Sequence, residues 1–151
     1  MPQRTAKLIH EKILEKDRFL LVTHQNPDGD AIGSVNALGE MLESLGKEHT
    51  IFCSTSASDQ FDFLPHTTDI TSDPEIWKKM YDVIIVCDSG DLRYAGVDKL
   101  IKYQENPFII NIDHHASNEG FGHLNLVIEA ASSTTEILNN YFVLNECEIN
   151  R

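Results

Sequence analysis

Two hydrophobic periods alternate along the chain. Residues 5–16 place Leu8, Ile9 and Ile13 at helical spacing, and residues 30–46 carry Ile32, Val35, Leu38, Leu42 and Leu45 on one helical face before Gly46 supplies a stop. Between and after them come short runs that look like strands at 19–24, 48–53, 81–88, 107–113 and 123–128, the most continuously apolar being 19–24 and 81–88. Runs of that length without alternation predict strands covered on both faces. Residues 54–60 form a polar loop, followed by a turn that ends at Pro65. Pro74 predicts a helix start over 74–80, and 97–103 a brief helix. Ser133 and Glu136 have capping-box spacing ahead of the apolar ILNNYFVL, the final helix. Strands alternating with helices predict an α/β domain. The expected architecture is a five-stranded, mainly parallel sheet in the order 2-1-3-4-5, with helices on both faces in three layers.

The 151 residues suit one domain with a sizeable core. No apolar run approaches a membrane span, and the charged, amphipathic N-terminus lacks the marks of a secretory signal. Cys53, Cys87 and Cys147 are widely spaced and match neither a disulfide framework nor a zinc motif. A reducing cytoplasm is therefore the expected compartment. The formal charge of −12 argues against a broad basic grip on nucleic acid. A phosphate-bearing substrate would need cations at its site, or a separate basic domain.

Polar residues gather where the apolar runs end. The first run ends on His24, the third on Asp88, and the fourth leads into Asp113-His114-His115. Ligands of open α/β sheets bind outside the carboxyl ends of the strands, so three strands are expected to deliver His and Asp groups to one rim. After the first strand, Pro27 and Gly29 force a tight turn that holds Asp28 and Asp30 two residues apart. Asp30 by itself also reads as a helix N-cap, and an adjacent histidine pair is often structural. Their coincidence is harder to explain that way, because grouped carboxylates are costly unless cations neutralise them.

His24, Asp28, Asp30, Asp88 and His114 exceed the needs of one tetrahedral site. They suit two divalent ions bridged by Asp88. Carboxylate and imidazole donors favour manganese, magnesium or iron over a thiolate-type zinc site. Paired ions about 3.5–4 Å apart favour in-line displacement at phosphorus. His115 is left to hydrogen-bond the phosphoryl oxygens. His10, His49, His66 and His123 lie outside this set, where surface or packing roles are expected.

Taken in order, these residues resemble the DHH phosphoesterases. The resemblance rests on NPDGDAIGS at 26–34 with His24 upstream, the strand ending at Asp88, the Asp113-His114-His115 triplet, and ASSTTEIL at 131–138. It spans residues 19–144, and its wording is most similar to the nanoRNase/pAp-phosphatase branch. The resemblance implies hydrolysis of short oligonucleotides or pAp by in-line attack of a hydroxide bridging two ions, manganese first, with magnesium or another divalent ion as alternatives. It makes His24, Asp28, Asp30, Asp88 and His114 the metal ligands, and His115 the residue that contacts the scissile phosphate. Asp113 orients the histidine pair, while Ser132, Ser133 and Thr134 cap the final helix. A cyclic-dinucleotide phosphodiesterase and a non-catalytic truncated module are the alternatives. Family members continue into a segment with a further metal-binding Asp and a smaller C-terminal substrate domain. Residues 1–151 are thus expected to be a DHH catalytic domain cut before both, with a homodimer left open.

Overall fold

The computed structural model describes residues 1–147. Its centre is a sheet of six strands, all parallel: β1 (Arg18–Thr23), β2 (Glu48–Phe52), β3 (Ile70–Thr71), β4 (Val83–Cys87), β5 (Phe108–Asp113) and β6 (Leu124–Val127), in the order β3-β2-β1-β4-β5-β6. The five expected strands are present in the expected relative order. The sixth, β3, adds two residues to the β2 edge, pairing Ile70 with Ile51 and Thr71 with Phe52. Two residues are too few to carry a hydrophobic period, which is why the sequence reading counts five.

Three α-helices cover one face: α1 (Gln3–Glu15), α2 (Gly29–Ser44) and α3 (Thr134–Leu144). Ala6, Ile9 and Ile13 of α1, Val35, Leu38 and Leu42 of α2, and Ile137, Leu138 and Tyr141 of α3 pack on Phe19, Leu21, Ile85 and Ile110 of the sheet. Leu8 turns to the outside of α1, with 40% of its surface exposed. The buried stripe of α1 is thus Ala6, Ile9 and Ile13 at i, i+3 and i+7 spacing.

The other face is covered more thinly. Leu20, Val22, Ile84 and Val86 pack under Phe52, Trp77, Tyr81, Ala95 and Val97. Here the two short helices expected over 74–80 and 97–103 are 3-10 turns, at Pro74–Lys78 and Ile101–Tyr103. Trp77 is the wedge of this layer, fully buried and edge-on to Phe52 at 5.6 Å. A side chain of that size contributes about 1.5–3 kcal/mol by burial, so a single 3-10 turn is enough to seal the crossover.

The connectivity decides where a site can form. From β1 the chain crosses through α2 to β2 on one side, and later returns to β4 on the other side of β1. The direction of winding therefore reverses between β1 and β4. At such a reversal the loops leaving the two strands part and open a crevice at the carboxyl ends. His24 follows β1 and Asp88 follows β4.

Candidate metal centre

All seven residues singled out from the sequence lie at this rim. His24, in the first position after β1, is buried. Its Nδ1 donates to the Gln25 carbonyl at 2.8 Å, which leaves Nε2 to face the carboxylates. Tyr94 stacks on the imidazole, with ring centroids 5.0 Å apart. Asp28, not Asp30, is the N-cap of α2: its Oδ1 accepts the backbone N–H groups of Asp30 and Ala31, each at 3.0 Å. Asp30 sits in the first turn of α2 and accepts from the first turn of α3 instead. Its Oδ2 takes the Thr134 N–H at 2.7 Å and its Oδ1 the Thr135 N–H at 2.8 Å.

Asp88 lies between the others. It is 2% exposed and sits in the left-handed backbone region, φ +57°. Asp tolerates that conformation better than most residues, yet it still carries strain of the kind that clusters at functional sites. Its two oxygens face different neighbours. Oδ2 is 3.5 Å from His24 Nε2, and that nitrogen is 3.9 Å from Asp28 Oδ1. Oδ1 is 3.7 Å from His114 Nε2, which in turn lies 3.7 Å from Asp30 Oδ2. Thr134 Oγ1 donates to Asp88 Oδ1 at 2.9 Å.

The triplet divides its labour. Asp113 is fully buried; its Oδ1 accepts the His114 backbone N–H at 2.8 Å and His115 Nδ1 at 2.7 Å, while Oδ2 accepts from Asn118 Nδ2 at 2.6 Å. His114 Nδ1 donates to the Ala131 carbonyl at 3.3 Å, so its Nε2 is the nitrogen left for the rim. By distance alone, His115 groups with Asp88 and His114, because its Nδ1 is 3.8 Å from Asp88 Oδ1. That nitrogen is already engaged by Asp113 at a full angstrom less. His114 and Asp30 are therefore the better companions for Asp88 on this side, with His24 and Asp28 on the other.

Three carboxylates converge here, and among the described residues no Lys or Arg forms an ion pair with them. His24 and His115 respond to the unbalanced charge. The Asp88 carboxylate raises the proton affinity of His24 above the ordinary histidine value, against the opposing effect of burial. Burial lowers that of His115, but the Asp113 hydrogen bond and the Asp88 charge outweigh it and leave the group raised. The nitrogen-to-oxygen gaps of 3.5–3.9 Å are too long for hydrogen bonds. They match the roughly 3–4 Å that separates two donors each about 2.0–2.2 Å from one ion. Donor chemistry, spacing and missing positive charge all fit a pair of divalent cations.

Sequence reasoning missed what three nearby residues do at the rim: it read Thr134 as a cap of the final helix and gave Tyr94 and Asn118 no role. Ser133 caps α3 as expected, accepting from the Glu136 N–H at 3.0 Å, but Thr134 reaches to Asp88 and Asp30 rather than to its own helix. Tyr94 lies six positions past Asp88 in a loop, where an exposed aromatic was the available signal. Asn118 holds the far oxygen of Asp113 and carries no pattern at all. The histidines set aside do pack elsewhere. His10 is hydrogen-bonded to Tyr141 at 3.0 Å, His66 to Glu40 at 3.0 Å, and His123 accepts the Ile109 N–H at 2.9 Å.

The bifunctional oligoribonuclease and PAP phosphatase NrnA of Thermus thermophilus is 34% identical over 121 residues, 80% of this chain and 35% of its own length. The NrnA of Bacillus subtilis is 30% identical over 133 residues, 84% of this chain and 38% of its own. A probable NrnA of Streptococcus mutans is 28% identical over 95% of this chain and 44% of its own. The chain thus spans well under half the length of these relatives. The crystal structure of an exopolyphosphatase-related protein from Bacteroides fragilis superposes with a TM-score of 0.85 at 24% identity, covering 93% of this chain and 43% of that one, and shares the fold. No helix among the described residues is long and apolar enough to cross a membrane. Residues 18–150 match the DHH family, N-terminal domain, and the chain belongs to that family.

Proposed function

We propose that this chain is the metal-binding part of a phosphoesterase that hydrolyses short oligoribonucleotides and pAp. The observation that carries the reading is the placement of Asp88, one oxygen toward the His24–Asp28 side and the other toward the His114–Asp30 side. Three NrnA proteins named as oligoribonuclease and PAP phosphatase, similar over 80–95% of this chain, support the substrate class. His24, Asp28 and Asp88 would hold one divalent ion, and Asp88, Asp30 and His114 a second. Manganese is the proposed ion, since hard carboxylate oxygens with imidazoles suit it. Ions held there supply Lewis-acid polarisation of phosphoryl oxygens and an acidified water.

The protein's own share is orientation. Asp113 fixes the His115 ring through Nδ1, so that Nε2 is the nitrogen offered to a phosphoryl oxygen. When the ring is protonated, both nitrogens donate, one to Asp113 and one to the substrate. Gln25 and Ala131 hold His24 and His114 with Nε2 directed inward, which a metal-binding imidazole requires. We assign the grip on the rest of the substrate to the remaining length of the full-size relatives.

The test is manganese-dependent release of mononucleotides from a dinucleotide by the protein at its natural length. His115→Ala is expected to lower turnover by about 10²–10⁴-fold, the usual range for a lost charge-stabilising donor or proton-transfer group. Equal turnover by wild type and His115→Ala would remove the mechanism, and no phosphorus chemistry with any oligonucleotide or pAp would remove the function.

A further inference from the structure

We propose that Thr134 is a positioning residue that fixes the plane of the Asp88 carboxylate, so that one oxygen faces each half of the centre. The inference rests on the metal-centre reading above. A carboxylate's terminal torsion is broad, so nothing intrinsic to aspartate holds its plane at the angle that turns one oxygen toward each half. Something outside Asp88 must hold that plane if one oxygen is to serve each half. Thr134 is fully buried, and its hydroxyl donates its single proton to Asp88 Oδ1 at 2.9 Å. Oδ1 is the oxygen on the His114 side; Oδ2, on the His24 side, is left without that bond.

The alternative is that Thr134 merely starts a helix. The geometry points the other way. The cap of α3 is already supplied by Ser133, whose Oγ accepts the Glu136 N–H. A threonine hydroxyl near a helix end ordinarily bonds back to its own backbone. Here it reaches a residue 46 positions earlier in the chain. The backbone of the same residue acts on the neighbouring carboxylate. The Thr134 and Thr135 N–H groups hold both oxygens of Asp30, as an eleven-residue helix holds an anion at its N-terminus. One residue on α3 thus aims two carboxylates, one just past the end of β4 and one in the first turn of α2.

The test compares wild type, Thr134→Val and Thr134→Ser by manganese titration, the cobalt electronic spectrum and thermal melting, with Asp88→Asn as the reference for the centre itself. Thr134→Val is expected to weaken manganese binding about 10–100-fold, the usual cost of removing a group that orients a ligand. It should also alter the cobalt spectrum, and Thr134→Ser is expected to restore both. Should Thr134→Val melt early, Thr134→Ala removes the hydroxyl without placing a second methyl against Asp88, and carries the same expectation. Wild-type binding by the hydroxyl-free variants overturns the proposal. So does binding by Thr134→Ser as weak as by Thr134→Val, which would assign the effect to packing. Manganese binding that Asp88→Asn leaves untouched overturns the metal-centre reading and this inference with it.

Discussion

Asp30 and Asp88 offer the same functional group to the rim, yet their replacement by asparagine is expected to have very unequal consequences for stability. Both oxygens of Asp30 accept backbone N–H groups of α3, at 2.7 and 2.8 Å. An asparagine there must turn its NH2 toward one of those donors. The exchange loses one charge-assisted bond, about 1.5–3 kcal/mol, and strands a backbone N–H at a further 1–3 kcal/mol or so. Relief of repulsion between Asp30 and Asp88 returns part of this, so the net cost is about 2–4 kcal/mol. Asp88 receives only the Thr134 hydroxyl, on one oxygen. An asparagine can keep its carbonyl there and place its NH2 on the His24 side, so the expected change is below about 1 kcal/mol. For a domain of this size, roughly 2–4 °C in Tm accompanies each kcal/mol. Thermal melts in a chelating buffer should therefore show Asp30→Asn about 5–15 °C below wild type and Asp88→Asn within about 3 °C. Equal losses in the two variants, or an unshifted Asp30→Asn, would refute the idea that Asp30 anchors the start of α3.

Manganese is expected to raise the wild-type Tm, since a ligand at 100 times its Kd adds about 2.7 kcal/mol to stability, or roughly 5–10 °C; Asp88→Asn should show no such rise. His10, whose proton affinity burial lowers, packs against Tyr141 at the α1–α3 contact. A base with a depressed folded pKa binds protons more readily when unfolded, so its contribution to stability is present above about pH 6.5 and lost as the pH falls toward the folded value. Urea melts at pH 7 and pH 5 should therefore show the advantage of wild type over His10→Gln shrinking at the lower pH; a constant difference would remove this assignment.

The parts of the fold legible in the sequence are those with a long, unshared period. β1, β4 and β5 are continuous apolar runs because both sheet faces are covered, and α2 shows its stripe over four turns. The helix read at 74–80 carries a start signal in Pro74 and that at 97–103 only a short pattern, but the crossovers on that face need only a wedge such as Trp77, and the backbone tightens to 3-10 turns. The rim was legible because His24, Asp88 and the Asp113-His114-His115 triplet stand at the ends of apolar runs, and parallel strands end together. Its supports were not. Thr134 lies 104 positions from Asp30, and a threonine after a serine cap reads as part of the cap. Asn118 meets Asp113 through a loop whose path no local pattern encodes.

The docking of α3 onto Asp30 and Asp88 also orders events in time. Every proposed ligand lies between His24 and His114, whereas the groups that aim two of them begin at Thr134. A ribosome-bound chain would thus expose the full set of imidazoles and carboxylates before it could arrange them. At the proposed centre, productive ion loading would wait for α3 to seat, and would so report that synthesis has passed it.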